Sequence, residues 1–276
     1  MADGTVTSRD GVRITYLDQG RGRPLVIVHP GSSDAGSWQA VAAALAPDFR
    51  VLRFDRRLYR KSGPPPSPHT IAREVDDVAA LLDLVDEPAF LVGHSSGGIV
   101  ALEAALHAPT ALAGLVLYEP PVAVTEPLGG QAVARARAAL ARGAASAAVA
   151  IHLRHIVRLP WLTVALARLC PQIWRPLRAH AAAQIADVEA IDGLGVGLER
   201  YRRLTVPTLL LGGAQSPPNL RHRLEALATV LPNVQDTVIM ARQGHAAHLS
   251  APQQLARHIH EFADLVRGDR TLASEW

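Results

Sequence analysis

The chain is poor in cysteine, lysine and aromatic residues, and each shortage excludes a class of protein. Cys170 is the single cysteine among 276 residues, so an internal disulfide framework, a four-cysteine zinc site and an iron–sulfur cluster are excluded. Lys61 is the single lysine among 28 basic residues, and the arginines are scattered. Nucleic-acid binding needs clustered basic residues with aromatics between them, and aromatics make up only 4% of this chain, so we do not expect it.

Long apolar runs are also missing, since none approaches the roughly 20 residues that cross a bilayer. The segment Met1–Gly11 is polar and lacks the apolar stretch of a signal peptide. Together with the lone thiol, these absences predict a soluble protein of the reducing cytoplasm with no membrane partner. The formal net charge of +3 is small and says little about other partners.

The residues that are present predict an α/β fold. The chain is 49% apolar and 19% charged, enough for one large globular domain or a domain with an inserted subdomain. Short apolar runs alternate with stretches of helical period, which is typical of a doubly wound, mostly parallel sheet. Strands are predicted at Leu25–His29, Val51–Asp55, Phe90–Gly93, Leu115–Glu119, Thr208–Gly212 and Thr237–Met240, with an antiparallel hairpin around Val12–Leu17. Helices are predicted at Trp38–Leu45, Ile71–Leu84, Ile99–Ala108, Arg221–Leu231 and Pro252–Val266, with Asn219 as a cap and Pro252 at a first helical position.

The alternation stops between Pro120 and Leu204, where about eighty residues contain no convincing strand. We predict a helical cap at residues 121–203, inserted into an α/β core of residues 1–120 and 204–276. Trp161 and Trp174 stand in this cap among other bulky apolar residues, most of which are expected to pack the cap helices together. A few should line an apolar pocket, with the two tryptophans as candidate substrate-binding residues.

A serine between glycines carries the clearest chemical signal. The sequence Gly93-His94-Ser95-Ser96-Gly97 follows a buried strand and opens a helix. Small residues on both sides permit a strained turn that lifts the hydroxyl off the sheet, as in a nucleophile elbow. Ser95 is therefore the predicted nucleophile.

A serine hydroxyl needs a base, and His245 is the best placed of the twelve histidines. It follows the last predicted strand, precedes the last helix, and comes last in chain order, as an elbow architecture requires. His248 and His94 are expected to pack beside the site and to touch substrate, and His29 to pack at a strand end. The pairs His152/His155 and His258/His260 are expected to lie on solvated helix faces rather than to bind a metal.

Glu119 is the predicted acid partner of His245. It stands at a strand end before two prolines, and sites in open parallel sheets lie beyond the strand C-termini. The loop after Gly212, where such an acid is more usual, carries no carboxylate, and Glu225 falls within the next helix. Asp55, Asp192 and Asp236 remain weaker alternatives.

Two backbone N–H groups should hold the oxyanion that develops on the substrate. Ser96, directly after the nucleophile, supplies one. The loop after the first parallel strand supplies the other, with Gly31 preferred and Ser32 next, whereas Pro30 has no N–H. Ser32 is also a candidate substrate contact.

On these motifs the chain resembles the α/β-hydrolase superfamily over nearly its whole length. The matching segments are His29-Pro30-Gly31, Phe54-Asp55-Arg56, the elbow at Ser95, and Gly244-His245 before the last helix. An acid at the position of Glu119 is similar to a minority branch that includes some haloalkane dehalogenases and the fungal zearalenone lactonases. A serine at the elbow argues against the dehalogenase and epoxide hydrolase chemistry that the superfamily performs with an aspartate.

Two departures from the family pattern stand out. Arg57-Leu58-Tyr59-Arg60-Lys61-Ser62 replaces a usual glycine-rich turn, and Pro30 replaces a common glycine. We interpret the basic group of Arg53, Arg56, Arg57, Arg60 and Lys61 as a solvated loop.

The sequence thus predicts a cofactor-free and metal-free serine hydrolase that cleaves an apolar carboxylic ester or lactone held under the cap. The lactone preference rests on the resemblance alone. Carbon–carbon bond hydrolysis, thioester hydrolysis, and a non-hydrolytic binding or cyclising role stay open as alternatives. The expected partner is the small-molecule substrate, and a homodimer stays possible.

Overall fold

The computed structural model describes residues 2–59 and 69–273, and it has one eight-stranded sheet at its centre. The strands are β1 Ala2–Thr7, β2 Arg13–Gln19, β3 Arg23–Val28, β4 Phe49–Phe54, β5 Ala89–His94, β6 Leu112–Tyr118, β7 Thr208–Gly213 and β8 Val234–Met240. Their order is β1-β2-β4-β3-β5-β6-β7-β8. The first two strands join antiparallel and the other six run parallel, which confirms the predicted fold class and the N-terminal hairpin.

Helices cover both faces of this sheet. The α-helices are α1 Gln39–Leu45, α2 Ile71–Leu82, α3 Ser96–His107, α4 Gly130–Ala141, α5 Ala145–Ile151, α6 Trp161–Leu169, α7 Pro171–Ala179, α8 Ala181–Asp192, α9 Pro218–Val230, α10 Ala247–Ser250 and α11 Pro252–Ala273. Short 3₁₀ turns lie at Ala35–Trp38, Pro109–Ala111 and Glu199–Arg203, and a π-helical turn lies at His152–Ile156.

The two faces of the sheet have separate apolar cores. On one face α1 and α11 pack on the sheet, with Val41, Leu255 and Ile259 buried. On the other face α2, α3 and α9 pack, with Leu102 and Leu224 buried. Because β3, β5, β6 and β7 are buried on both faces, their sequences are continuous apolar runs.

The predicted strands and helices are present with their ends shifted by three residues or fewer, except that α11 continues seven residues beyond the predicted end at Val266. The predicted cap of α9 is wrong. Asn219 lies inside the helix, which begins at Pro218 with Pro217 as its N-cap residue. A proline suits a first helical position because it lacks the N–H that would have no partner there. Pro252 begins α11 as expected.

Residues 121–203, which we call the helical insert, form α4 to α8 with no strand among them. The insert has small cores of its own. One joins α4, α5 and α8 through Ala136, Ala148 and Val188. Another forms around Trp174, with Val149 and other apolar residues.

The interpretation of the arginine group as a solvated loop is wrong for the residues that the structure describes. Arg53, Arg56 and Arg57 are all buried. Arg57 pairs with Asp77 and Asp10, and Arg53 donates to the Ala35 carbonyl oxygen at 2.8 Å. The sequence alone suggests exposed charges here, because it does not show which carboxylates and carbonyl oxygens the fold brings to these arginines. Arg60 and Lys61 lie outside the described residues.

None of the helices in the described ranges is both long enough and apolar enough to cross a membrane.

Candidate active site

Ser95 lies in a strained turn between β5 and α3. Its backbone is left-handed, with φ of 52° and ψ of −126°, a conformation that costs a non-glycine residue on the order of 1–3 kcal/mol. A Cβ on Gly97 would lie 2.4 Å from the His29 carbonyl oxygen, and one on Gly93 would lie 2.5 Å from Cβ of Ala101. The two flanking glycines therefore permit close contact of the turn with the sheet and with its own helix.

His245 and Glu119 meet at the carboxyl ends of the strands. Nδ1 of His245 lies 2.6 Å from Oε2 of Glu119, and the buried carboxylate also accepts the Gly213 N–H at 2.7 Å. These contacts fix the carboxylate and favour the tautomer in which Nδ1 of His245 carries the proton. The other ring nitrogen, Nε2, is then free to accept a proton.

The loop that carries His245 is attached to β6 through Tyr118. The Tyr118 hydroxyl donates to the Gly244 carbonyl oxygen and accepts the Ala247 N–H at 3.2 Å. Burial raises the pKa of this hydroxyl above its ordinary value, so it stays a neutral donor. The strand that bears Glu119 thus also positions the histidine.

The other carboxylates that the sequence left open have different positions. Asp55 accepts the Ala35 N–H at 3.0 Å, and Asp192 accepts the Leu128 N–H at 2.6 Å before α4. Asp236 and Glu225 are exposed. Among these candidates, Glu119 is the one within hydrogen-bond distance of His245.

The two predicted oxyanion donors lie near Ser95. Ser96 is the first residue of α3, where a backbone N–H has no partner within the helix. Gly31 lies in the loop after β3, and it lines the same cavity as Ser95, Ser96 and His245. The Ser32 N–H, the second choice, points elsewhere because it donates to the Tyr59 hydroxyl at 3.4 Å.

Two further histidines pack behind His245. His94 is stacked on Tyr118 with ring centroids 4.4 Å apart, and its centroid lies 4.7 Å from that of His245. His248 is stacked on Trp38 at 5.5 Å. Burial and the neighbouring His245 lower the pKa of His248 to about 4 and that of His94 well below its ordinary value. Both rings are therefore neutral near pH 7, and His245 remains the candidate base.

A cavity of about 390 Å³ lies between the strand ends and the helical insert. Ser95, His94, His245 and His248 line it on the core side, together with Gly31 and Ser32. The insert contributes mostly apolar side chains from α5, α8 and the π-helical turn, with His152 and Gln184 as polar exceptions. Among the described lining residues none is Asp, Glu, Lys or Arg, so the cavity suits a neutral and largely apolar ligand.

Three predictions about the insert need correction. Trp161 is 66% exposed on the outer surface, and Trp174 is buried in the insert with its Nε1 donating to the Ser146 hydroxyl at 3.1 Å. Neither lines the cavity, because Trp174 packs among Val149 and Val164 inside the insert and α7 contributes Leu177 to the lining instead. His152, expected on a solvated face, instead lines the cavity, and burial lowers its pKa to about 4.

A buried ionic cluster lies beneath the turn of Ser95. Arg56 donates to both oxygens of Glu74, at 2.6 and 2.7 Å, and its Nη1 lies 3.1 Å from Asp187 of the insert. His69 lies 3.2 Å from Glu74 and 3.4 Å from Asp187. Burial alone would lower the pKa of His69, but the two carboxylates outweigh it and raise the pKa to about 9. We call these four residues the ionic cluster.

Three members of the ionic cluster are residue types that bind metal ions in proteins. The ligand atoms of His69, Glu74 and Asp187 lie within 4.8 Å of one another. Both Glu74 oxygens accept from Arg56, and Asp187 pairs with the same guanidinium. Because this cation already neutralises the carboxylates, we interpret the cluster as a structural ion network.

Sequence reasoning missed Gln184 and Asp187 as residues of the site. They lie in a helix whose apolar residues are spread around its circumference, and no motif sets them apart. The one available signal was their spacing, since residues three apart share a face of a helix.

The sequence and the fold of this chain are similar to those of known alpha/beta hydrolases. The model of a family described as the alpha/beta hydrolase family matches residues 25–258. An alpha/beta hydrolase from Sphaerobacter thermophilus DSM 20745 is 32% identical, and the match covers 94% of this chain and 99% of that chain with a TM-score of 0.83. A hydrolase from Pseudomonas aeruginosa PA01 is 27% identical, with 94% and 97% covered and a TM-score of 0.75.

A curated relative is similar over a shorter region. The non-heme chloroperoxidase of Streptomyces lividans is 38% identical over 128 residues, which are 44% of this chain and 46% of the relative. The chain therefore matches less than half the length of this relative.

Proposed function

Because the chain belongs to the alpha/beta hydrolase family, we propose that it is a serine hydrolase that cleaves a carboxylic ester or lactone through an acyl-enzyme. The observation that carries the proposal is the 2.6 Å contact between the buried Glu119 and His245, which lines a cavity together with Ser95 on its strained turn. A serine, a base and an orienting carboxylate are the groups that acyl transfer needs.

Each group has a defined task in this reaction. Ser95 Oγ attacks the ester carbonyl carbon while Nε2 of His245 accepts the hydroxyl proton. The N–H groups of Gly31 and Ser96 hold the oxyanion, and the intermediate collapses as His245 protonates the leaving alkoxide. Water activated by His245 then hydrolyses the acyl-enzyme. Glu119 stabilises the imidazolium in both halves of the reaction.

The cavity wall supports an apolar substrate. The described lining carries no formally charged side chain, and aliphatic residues such as Leu153, Ile156 and Val188 face the ligand space from the insert. We propose that the insert acts as a lid over an apolar acyl group or lactone ring. The Nδ1 of His152 is buried in this wall and has no hydrogen-bond partner among the described residues, so a hydroxyl or carbonyl on the substrate would find a partner there.

Replacement of the nucleophile tests the proposal. Ser95→Ala should lower the turnover of p-nitrophenyl esters by at least about 10⁴-fold, because the attacking oxygen is gone. Circular dichroism and thermal unfolding should stay like those of the unmodified protein. Ser250→Ala, which changes an exposed serine, serves as the matched control. Unchanged turnover in Ser95→Ala would overturn the assignment.

A fluorophosphonate probe separates the hydrolase from a non-hydrolytic binding role. The proposed chemistry predicts a covalent adduct on Ser95 in the folded protein and none in Ser95→Ala. A screen over aryl esters, thioesters, lactones and carbon–carbon bond substrates then identifies the bond cleaved. Peroxide-dependent chlorination, the activity named for the curated relative, belongs in the same screen as a second candidate.

A further inference from the structure

One helix of the insert contacts both sides of the proposed oxyanion hole. Gln184 and Asp187 lie on the same face of α8, three residues apart. We propose that these two side chains are positioning residues that hold both oxyanion donors, so that the hole is complete only while α8 is seated on the core. This inference rests on the proposed function for its catalytic part.

Gln184 holds the loop that carries the first donor. Its Oε1 accepts the Ser32 hydroxyl at 2.9 Å. The same amide lies directly over Gly31, because a Cβ on that glycine would be 2.2 Å from Oε1. Ser32 has a left-handed φ of 57°, a strained conformation that needs support from its surroundings. The Gln184 contact provides this support next to the Gly31 N–H.

Asp187 holds the residue that carries the second donor. Its Oδ2 accepts the Ser96 hydroxyl at 3.0 Å, and Ser96 follows the nucleophile directly. Arg56 donates to the same hydroxyl at 2.9 Å. The Ser96 side chain is therefore fixed between a carboxylate of the insert and a guanidinium of the core, and its N–H is fixed with it.

Tyr59 connects the two sides. Its hydroxyl donates to Asp187 Oδ2 at 2.9 Å and accepts the Ser32 N–H at 3.4 Å. A displacement of α8 would therefore affect the loop of Gly31 through two contacts and Ser96 through a third.

The ionic cluster explains why α8 is seated firmly. Asp187 is fully buried and pairs with Arg56 and His69 of the core. Withdrawal of α8 would separate a buried carboxylate from its partners, which is strongly unfavourable. The helix that covers the cavity is thus held to the core next to the reacting atoms rather than at its rim.

The Gln184 side is tested with Gln184→Met, which keeps the length of the side chain and removes the hydrogen-bond acceptor. We expect kcat for a p-nitrophenyl ester to fall about tenfold to hundredfold, with KM changed less than about threefold, because the donor acts on the transition state. Gln172→Met, on an exposed part of α7, is the matched control and should keep kcat. A KM increase with unchanged kcat would show that Gln184 only binds substrate, and would overturn the inference.

The Asp187 side is tested with Asp187→Asn, which removes the charge and keeps the shape. Glu189→Gln is the control, because it removes a partly exposed carboxylate, paired with Arg137, from the same helix. We expect kcat to fall only in Asp187→Asn. If this variant fails to fold, Tyr59→Phe removes the connecting hydroxyl and should lower kcat with little effect on KM.

Amide hydrogen exchange gives a readout that does not depend on activity. In Gln184→Met we expect faster exchange for residues 29–33, with the α11 segment unchanged. In Asp187→Asn we expect faster exchange for residues 95–97, and in Tyr59→Phe for residues 29–33. Unchanged exchange in these segments would overturn the positioning role. Faster exchange without loss of kcat would overturn the catalytic part. Absence of a Ser95 adduct and of ester turnover in the unmodified protein would instead refute the proposed function, and the exchange data would still decide the positioning.

Discussion

At the scale of single residues, the site depends on backbone conformations that the residues themselves disfavour. Ser95 and Glu119 both have positive φ, of 52° and 46°, and neither is glycine. Each lies at the carboxyl end of a buried parallel strand. Hydrogen bonds hold these positions: the Ser95 N–H donates to the Tyr118 carbonyl oxygen at 2.9 Å, and the Glu119 N–H donates to that of Leu211 at 3.0 Å. Backbone strain at two candidate catalytic residues is consistent with a preorganised site.

The role of Glu119 is open to a direct comparison. Glu119→Gln keeps the shape but removes the charge that orients and stabilises His245, so kcat should fall by about 10³- to 10⁴-fold. Glu225→Gln changes an exposed carboxylate on α9 and should leave kcat unchanged. Steady-state kinetics on one aryl ester measures both. A large loss in the Glu225 variant alone would refute the assignment of the acid.

At the scale of elements, the elbow and α8 approach the same few residues from opposite sides. The elbow brings Ser95, the proposed nucleophile, above the sheet because Gly97 lets α3 pack against the end of β3. From the insert, α8 covers this end of the sheet with Gln184 and Asp187. The elbow could be predicted from local sequence, because the glycines on both sides of the serine permit the tight turn and stand within two residues of it. The α8 contacts could not, since they join residues up to 152 positions apart.

A matched pair of glycine variants tests the steric role of the elbow. In Gly97→Ala the new Cβ would lie 2.4 Å from the His29 carbonyl oxygen, which is backbone and has little freedom to move. We expect a loss of several kcal/mol in the free energy of unfolding, about 3 kcal/mol or more. Gly268→Ala lies inside α11, where no described atom comes within 4 Å of the new Cβ, and should stabilise by about 0.5–1 kcal/mol. Urea unfolding measures both, and similar values for the two would contradict the packing argument.

At the scale of the whole molecule, buried histidines make stability depend on pH in opposite directions. Burial lowers the pKa of His29, His152 and His248 to about 4, so each is neutral in the folded protein and takes up a proton on unfolding in weak acid. His69 has the opposite shift, to about 9, because of its two carboxylate neighbours. It is protonated in the folded protein at a pH where the unfolded chain has released the proton.

The sign of each shift predicts a maximum of stability near pH 6.5. Between about pH 6.5 and 4 the unfolded chain binds more protons than the folded protein at His29, His152 and His248, so the free energy of unfolding should fall as the pH falls, on the order of 3 kcal/mol for each. The lowered pKa of His94 acts in the same direction. Between pH 6.5 and about 9 the contribution of His69 is lost as pH rises. Urea titrations at several pH values measure this.

Histidine variants separate this effect from other titrations. His248→Gln should flatten the acid side, because one neutral histidine is removed from the folded state. His222→Gln, which changes an exposed histidine of α9, should leave the profile unchanged. An acid limb of equal slope in both variants would contradict the assignment to buried histidines.

Local sequence determined the sheet, the elbow and the last histidine, because apolar periodicity and small residues beside a turn act over a few positions. It also indicated Glu119, since sites in parallel sheets lie beyond the carboxyl ends of the strands and Glu119 follows such an end. Only the tertiary structure decided that Arg56 is buried rather than solvated, that Trp161 lies outside the cavity, and that Gln184 and Asp187 reach the elbow. Each of these depends on where the helical insert packs on the core. That packing is a sum of contacts between residues distant in sequence, which no local pattern encodes.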